Sequence, residues 1–122
     1  MATILIVEDD EELQSMLKMM LQRSGHEVHL SPNGVDALYQ VSYIKPELIV
    51  LDLMMPWASG DAVLGYVRST SDVKHTRVLV LSAHPEGAKL ANQLEADSFL
   101  PKPVDLQTFR EHVDRLLQPA EE

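Results

Sequence analysis

The chain has 122 residues, 45% of them hydrophobic, and at pH 7 it carries a formal net charge of −9, which suits one acidic domain with a single core. This charge argues against nucleic acid or an anionic membrane as a direct partner, because both are themselves negatively charged. No apolar run reaches the roughly 20 residues that span a bilayer, and the N-terminus lacks the basic region of a signal peptide. The absence of cysteine excludes disulfides and favours a reducing, cytoplasmic compartment.

The first half of the chain alternates short apolar runs with helical spacing. The β-branched run TILIV at 3–7 predicts a buried strand, and EVHL at 27–30 predicts a second one. A helix that ends near Gly25 lies between them, and another runs from about Gly34 to Ile44 behind an N-cap at Asn33. The core stripe predicted for the first helix consists of Leu13, Met16, Leu17, Met20 and Leu21.

The second half of the chain repeats this alternation. We expect Ser59 to cap a third helix, a fourth helix to run from about Pro85 to Glu95 with proline in its first turn, and Asp105 to cap the last helix. The strands predicted in this half are ELIVLD at 47–52, RVLVLS at 77–82 and SFLP at 98–101.

Five strands that alternate with five helices indicate an α/β fold with one parallel sheet and helices on both of its faces. In such open sheets, ligands bind beyond the carboxyl ends of the strands. We expect residues 1–118 to form this domain and residues 119–122 to be a short C-terminal tail or the start of a linker. The residues at the strand ends are therefore the candidates for a functional site.

Charged and polar residues stand at four of the five strand ends. Glu8 and Asp9 follow the first strand, Asp52 ends the third, Ser82 ends the fourth, and Lys102 follows the fifth. The run around Asp52, LIVLDLMMP, is otherwise apolar, and a buried carboxylate costs several kcal/mol unless it is paired or bound to a metal. A flavodoxin-like strand order, 2-1-3-4-5, would place these five side chains around one point.

This set of residues suits phosphoryl transfer onto a carboxylate. Three crowded carboxylates repel one another and favour a divalent cation, and Mg²⁺ is the cation that prefers such hard oxygen ligands. Asp52 would be the nucleophile that forms an aspartyl phosphate. Lys102 would neutralise charge on the phosphoryl oxygens, and Ser82 would donate a hydrogen bond to them.

Four segments, ILIVEDD, LIVLDLMMP, VLVLSA and FLPKP, occur in an order and spacing that resemble the receiver domain of two-component response regulators, over Thr3 to Leu117. The resemblance implies a flavodoxin-like five-stranded parallel sheet of order 2-1-3-4-5. It also implies a signalling domain, not a turnover enzyme, that catalyses its own phosphorylation from a sensor histidine kinase or a histidine phosphotransfer protein. The phosphoryl group would change a surface that binds a downstream protein target.

The resemblance assigns a role to each catalytic or metal-binding residue. Asp52 matches the phosphoacceptor, and Lys102 matches the lysine that pairs with the phosphoryl group. Asp9 matches a direct Mg²⁺ ligand, Glu8 a ligand that acts through water, and Met54 a ligand that uses its backbone carbonyl.

Ser82 and Phe99 match the switch hydroxyl and the switch aromatic of the family, and the Lys102–Pro103 bond matches its cis peptide. Phe99 lacks the hydroxyl of the tyrosine that is frequent there, so its rotation would depend on packing alone. None of the departures from the family pattern removes a catalytic group. The others are Trp57, Ala58 and Ser59 before Gly60, and Val104 where phenylalanine is common.

Other interpretations compete with this one. Glu8 and Asp9 could serve only as acidic residues at the start of the first helix. A receiver-like module that binds partners without phosphorylation is also compatible with the sequence, and a phosphorylation-dependent dimer stays open. A haloacid-dehalogenase-like phosphatase would need a second aspartate where Met54 stands, and a flavodoxin would need a phosphate-binding loop where EDDEEL is negatively charged. We set both of these aside.

Overall fold

The computed structural model describes residues 1–55 and 59–118, within which five strands alternate with five helices. Trp57 and Ala58 of the predicted loop, and the predicted tail at 119–122, lie outside the described residues. The strands are β1 Thr3–Val7, β2 Glu27–Ser31, β3 Leu48–Asp52, β4 Arg77–Ser82 and β5 Ser98–Pro101. The helices are α1 Glu11–Arg23, α2 Gly34–Ile44, α3 Gly60–Ser69, α4 Gly87–Gln93 and α5 Leu106–Leu116.

The five strands are parallel and lie in the order β2-β1-β3-β4-β5, which confirms the predicted flavodoxin-like α/β fold. β3 lies at the centre, and all five of its residues are buried. Its Leu51 is aligned with Val7 of β1 and with Val80 of β4. The register therefore brings the carboxyl ends of these three strands to one edge of the sheet.

Alternate strand residues point to opposite faces of the sheet, and each face carries its own core. Ile49 of β3 faces α2, α3 and α4, whereas Val50 faces α1 and α5. The buried helix residues of the first core include Ala37, Val41, Val63, Leu64, Val67 and Ala91, and those of the second include Leu17, Leu21, Phe109 and Val113. Cover on both faces explains why β3 is a continuous apolar run.

The predicted helix caps are confirmed at two positions. Asn33 Oδ1 accepts a hydrogen bond from the Asp36 N–H at 2.9 Å, and Asp105 accepts from two N–H groups in the first turn of α5. The side-chain cap predicted at Ser59 is wrong. Ser59 occupies the N-cap position of α3, but its hydroxyl donates to the Asp61 carboxylate instead of accepting from the helix.

The core stripe predicted for α1 is wrong at one position. Leu17 and Leu21 are buried, and Leu13 and Met20 are partly buried, but Met16 is 43% exposed. Met16 lies about 120° around the helix axis from the mean direction of Leu17 and Leu21. A helix that packs on a flat sheet leaves a residue at this angle in solvent.

The helices are short, and α4 is shorter than predicted. It begins at Gly87 instead of near Pro85, because residues 84–87 form a turn in which the Gly87 N–H donates to the His84 carbonyl. It ends at Gln93, and Glu95 then adopts the left-handed conformation, with φ of 65°.

In the parts of the chain that are described, no helix has the length and apolar character needed to cross a membrane.

Candidate functional site

The carboxyl edge of the sheet brings together the residues that follow β1, β3, β4 and β5. Backbone hydrogen bonds extend the sheet past its strand ends: the Glu8 N–H donates to Ser31 O, and the Lys102 N–H donates to Ser82 O, each at 3.0 Å. These bonds fix the direction in which the chain leaves β1 and β5. Glu8 and Lys102 are thereby held beside Asp52 at the end of the central strand.

Three carboxylates form the acidic part of the site. Glu8, Asp9 and Asp52 each offer one oxygen atom, and these atoms lie within 4.8 Å of one another. Glu8 and Asp52 are 1% and 2% exposed, whereas Asp9 is open to solvent. The residue that caps α1 is Asp10, whose carboxylate accepts from two N–H groups of the first turn. The simple helix-capping interpretation therefore fits Asp10 and does not account for Glu8 and Asp9.

Lys102 supplies the positive charge of the site. Its Nζ lies 2.8 Å from Glu8 Oε1 and 3.1 Å from Asp52 Oδ2. Burial acts to lower the pKa of Lys102, but its contact with Glu8 and the negative charges of Glu8 and Asp52 outweigh burial, so this pKa is raised above its ordinary value. Lys102 is therefore protonated and bridges the two buried carboxylates.

Glu8 is buried without a full set of partners. Its Oε2 accepts a hydrogen bond from the Asp10 N–H at 3.1 Å. Its Oε1 is buried, and among the described residues it has no partner in hydrogen-bonding geometry, so its contact with Lys102 is an ion pair. Burial raises the pKa of Glu8 to about 7, and the charge of Asp52 adds to this effect while Lys102 opposes it. Lys102 therefore compensates the charge of the Glu8 carboxylate only in part, and burial favours the protonated form of Glu8.

This donor set fits a hard divalent cation such as Mg²⁺. The clustered ligand atoms are all carboxylate oxygens, which Mg²⁺ prefers, whereas the nitrogen and sulfur ligands typical of zinc or copper do not belong to this cluster. The buried Oε1 of Glu8 is the observation that favours a cation, because its only contact among the described residues is the ion pair with Lys102, and a buried polar atom without a hydrogen bond is costly. The protein thus presents an acidic pocket suited to Mg²⁺.

The loop after β3 wraps closely around Asp52. Asp52 Oδ1 accepts from the Met54 N–H at 3.0 Å, and Oδ2 accepts from Lys102 Nζ. Gly60, the first residue of α3, packs on β3 so closely that a Cβ there would lie 2.5 Å from Asp52 O and 2.6 Å from Leu53 Cα. Sequence reasoning missed this role of Gly60. Its only signal was a glycine at the first position of the predicted helix.

The two residues assigned to a switch lie beside this cluster. Ser82 is buried at the end of β4, and its Oγ accepts from the His84 N–H at 3.0 Å. Phe99 of β5 is partly buried and packs against the core on the α4 face of the sheet. The Lys102–Pro103 peptide bond is cis. The residues that the sequence assigned to catalysis and metal binding thus lie at the carboxyl edge of the sheet, and Phe99 lies within β5.

The sequence of this chain matches a known protein family and individual relatives. A family model described as the response regulator receiver domain matches residues 4–114. Response regulator MprA of Mycobacterium leprae (strain TN) is 36% identical over 117 residues, which cover 94% of this chain and 50% of that protein. The chain spans about half the length of the curated relatives it matches.

Solved structures share the fold. The chemotaxis response regulator CheY4 of Vibrio cholerae is 29% identical, with a TM-score of 0.89, over 96% of this chain and 99% of that chain. Response regulator protein TrrA of Thermotoga maritima, solved in complex with Mg²⁺–BeF, is 30% identical, with a TM-score of 0.84, over 96% of this chain and 100% of that chain. Because the family match extends over residues 4–114, this chain belongs to the response regulator receiver domains of two-component signal transduction systems.

Proposed function

We propose that this receiver domain accepts a phosphoryl group from a phosphohistidine onto Asp52 in a Mg²⁺-dependent reaction, and that phosphorylation switches a protein-binding surface. The observation that carries the proposal is the position of Lys102, whose Nζ lies within 3.1 Å of both buried carboxylates, Glu8 and Asp52. Aspartate phosphorylation and Mg²⁺ binding are typical of the family. The same cluster combines a nucleophile, acidic ligands and a cation.

The acidic residues have distinct tasks in this proposal. Glu8, Asp9, Asp52 and the backbone carbonyl of Met54 would hold Mg²⁺, with Asp9 as a direct ligand and Glu8 acting through water. Bound there, Mg²⁺ offsets the negative charge of the carboxylates and of the phosphoryl oxygens. The Oε1 of Glu8, which lacks a hydrogen-bond partner among the described residues, supports this assignment, as does the Mg²⁺–BeF complex of the similar protein TrrA.

The transfer itself needs little from the protein beyond position and charge. An oxygen of the Asp52 carboxylate attacks phosphorus, the bond from phosphorus to the donor imidazole nitrogen breaks, and its electron pair stays on that nitrogen. Lys102 Nζ then pairs with a phosphoryl oxygen. The Ser82 hydroxyl donates to another, since its oxygen accepts from the His84 N–H and its own hydrogen is available.

The proposed donor is a sensor histidine kinase or a histidine phosphotransfer protein. A groove with mainly apolar walls opens beside the site, between the start of α1 and the β5–α5 connection. Exposed Met16 lies in this groove, next to Lys102 and Pro103. An apolar groove that reaches the phosphoacceptor site supports docking of a donor helix there.

The remaining assignments are also proposals. Residues 1–118 would form the receiver, placed in the cytoplasm, and the receiver itself would bind a downstream protein target and no nucleic acid, in keeping with its net charge of −9. A phosphorylation-dependent dimer stays a prediction, which gel filtration with and without acetyl phosphate would test.

The test is intact-protein mass after incubation with acetyl phosphate, with and without Mg²⁺. We expect a Mg²⁺-dependent gain of one phosphoryl group that hydroxylamine removes and that Asp52→Asn abolishes. Asp61→Asn is the matched control, because Asp61 is an exposed aspartate in the first turn of α3, and it should still gain the group. Lack of an adduct on the wild type, with acetyl phosphate and with a phosphohistidine donor, would favour the phosphorylation-independent interaction module instead.

A further inference from the structure

The first residue of α4 packs directly on the two switch residues. Gly87 is buried, and a Cβ at this position would lie 2.9 Å from Ser82 Cβ, 3.0 Å from Phe99 Cε1 and 3.1 Å from Phe99 Cζ. Carbon atoms that are not bonded pack at about 3.5–4.0 Å. The space that a side chain would need at position 87 is therefore filled by Ser82 and the Phe99 ring.

Gly87 differs from Gly60 and Gly65 of α3 in what surrounds it. A Cβ on Gly65 of α3 would have no neighbour within 4 Å, and a Cβ on Gly60 would meet backbone atoms of Asp52 and Leu53. At Gly87 the three nearest atoms all belong to side chains of the switch pair. The glycine thus places the backbone of α4 against Ser82 Cβ, whose position is set by the backbone of β4, and against the Phe99 ring, which is the part expected to move.

A chain of hydrogen bonds joins Ser82 to the same turn. The His84 N–H donates to Ser82 Oγ at 3.0 Å, the Glu86 N–H donates to His84 Nδ1 at 3.0 Å, and the Gly87 N–H donates to His84 O at 2.9 Å. Rotation of Ser82 Oγ toward a phosphoryl group would break the first of these bonds. The start of α4 is therefore tied to Ser82 by hydrogen bonds as well as by packing.

We propose that Gly87 is the positioning residue through which the phosphorylation state of Asp52 reaches α4. This inference rests on the proposed function. Because glycine has no side chain, the backbone of α4 rests on the Phe99 ring, and a displacement of this ring removes part of the surface on which the helix rests. A methyl group at position 87 would hold the helix away from the pair in both states and would uncouple α4 from the site.

The experiment compares amide NMR spectra of the wild type and Gly87→Ala, with and without Mg²⁺ and beryllofluoride as the phosphoryl probe. Intact mass after acetyl phosphate first shows that both proteins form the adduct. The probe should shift the amides of residues 88–93 in the wild type. In Gly87→Ala these shifts should fall to about half or less, since the overpacked helix no longer rests on the switch pair in either state.

Gly65→Ala is the matched control, because it makes the same change in a helix where a Cβ has open space, and it should retain the wild-type shifts. If the adduct forms and Gly87→Ala shifts like the wild type, or if α4 does not respond in the wild type, this inference is wrong while the proposed function stands. If the wild type forms no adduct, the proposed function fails first, and the inference fails with it.

A second variant covers the case in which Gly87→Ala does not fold. Phe99→Leu removes the Cε1 and Cζ atoms that face position 87. The double variant Gly87→Ala/Phe99→Leu should then fold and melt close to Phe99→Leu alone. A double variant that remains unfolded while Phe99→Leu folds would show that the Phe99 ring is not what position 87 must accommodate, and would overturn the inference.

Discussion

The two ends of the sheet both hold partly or fully buried charge, but they hold it in opposite ways. At the amino end, Arg68 of α3 pairs with Asp97 Oδ2 at 2.7 Å, and that oxygen also accepts from the Val78 N–H at 2.8 Å. The Arg68 guanidinium donates further hydrogen bonds, of 2.7 to 3.2 Å, to the backbone oxygens of Lys74, Thr76 and Glu95. Its charge is matched by one carboxylate and several carbonyl dipoles.

At the carboxyl end the charges do not balance. Three carboxylates cluster there, Lys102 pairs with two of them, and the buried Oε1 of Glu8 has no hydrogen-bond partner among the described residues. A satisfied polar network stabilises a fold, whereas an incompletely satisfied one costs free energy that a ligand can recover. The two ends of the sheet therefore differ in how completely their charged groups are paired, and not in how many charged groups they hold. The paired amino end is structural, and the incompletely paired carboxyl end is the candidate functional end.

The largest effect expected from this difference is at Arg68. Arg68→Ala should lower the free energy of unfolding by about 2–4 kcal/mol, because it leaves Asp97 and three carbonyl oxygens without their donor. Arg77→Ala is the control, since Arg77 is half-exposed and lies 3.8 Å from Asp97 Oδ1, and it should lose less than about 1 kcal/mol. Urea denaturation measures both. Equal losses would mean that the Arg68 network contributes no more than a surface ion pair.

Arg68 also shows what the sequence could and could not predict. The site at the carboxyl end was predictable because parallel β–α topology brings strand ends together, whatever the loops contain. The Arg68 network was not, because most of its acceptors are backbone carbonyls, which leave no mark on the sequence. The close packing at Gly60 and Gly87 was hidden for a related reason, since it depends on distances between elements. The exposure of Met16 was hidden as well, because it depends on the width of the α1 surface that packs on the sheet.

The next largest effect is expected at Glu8. The pKa of Glu8 in the folded state, about 7, lies above its ordinary value of 4.5, so the folded state binds this proton more tightly than the unfolded state does. The stability from that proton is complete below pH 4.5 and is lost as pH rises through 7. In EDTA, the wild type should therefore lose about 2 kcal/mol between pH 5 and pH 8 that Glu8→Gln does not lose.

Urea denaturation at both pH values measures this difference. Glu12→Gln is the matched control, because Glu12 is an exposed glutamate in the first turn of α1, and it should follow the wild type. Parallel pH dependences of wild type and Glu8→Gln would mean that the buried Glu8 carboxylate is fully compensated, and that the two ends of the sheet do not differ in the way described.

Mg²⁺ should offset the excess negative charge at the carboxyl end of the sheet and should have no such effect at the amino end. At pH 8, Mg²⁺ at ten times its dissociation constant should raise the free energy of unfolding of the wild type by about 1.4 kcal/mol through mass action. Asp52→Asn should gain less at the same concentration, and Arg68→Ala should gain as much as the wild type. Thermal melts with and without Mg²⁺ measure the three gains. Equal gains in all three would point to nonspecific ion effects on an acidic protein.

The smallest effect is expected at His112 on α5, whose side chain makes a polar contact with Ser98, the first residue of β5. His112 Nδ1 lies 2.5 Å from Ser98 Oγ and 3.2 Å from an Arg115 guanidinium nitrogen. Because Arg115 can only donate, Nδ1 is an acceptor and the ring is neutral. Burial lowers the pKa of His112, Arg115 adds to this effect, and Glu111 opposes it.

A lowered pKa means that the folded state resists protonation of His112. Its contribution to stability is complete above the ordinary histidine pKa of about 6.5 and is lost as pH falls below it. Between pH 7 and pH 5, the wild type should therefore lose stability relative to His112→Gln, by less than about 1 kcal/mol, the value of one ordinary hydrogen bond. His75→Gln, a change at an exposed histidine before β4, should leave the wild-type profile unchanged. If wild type and His112→Gln differ by the same amount at both pH values, His112 is not a neutral acceptor in the fold, and its contact with Ser98 adds nothing that depends on pH.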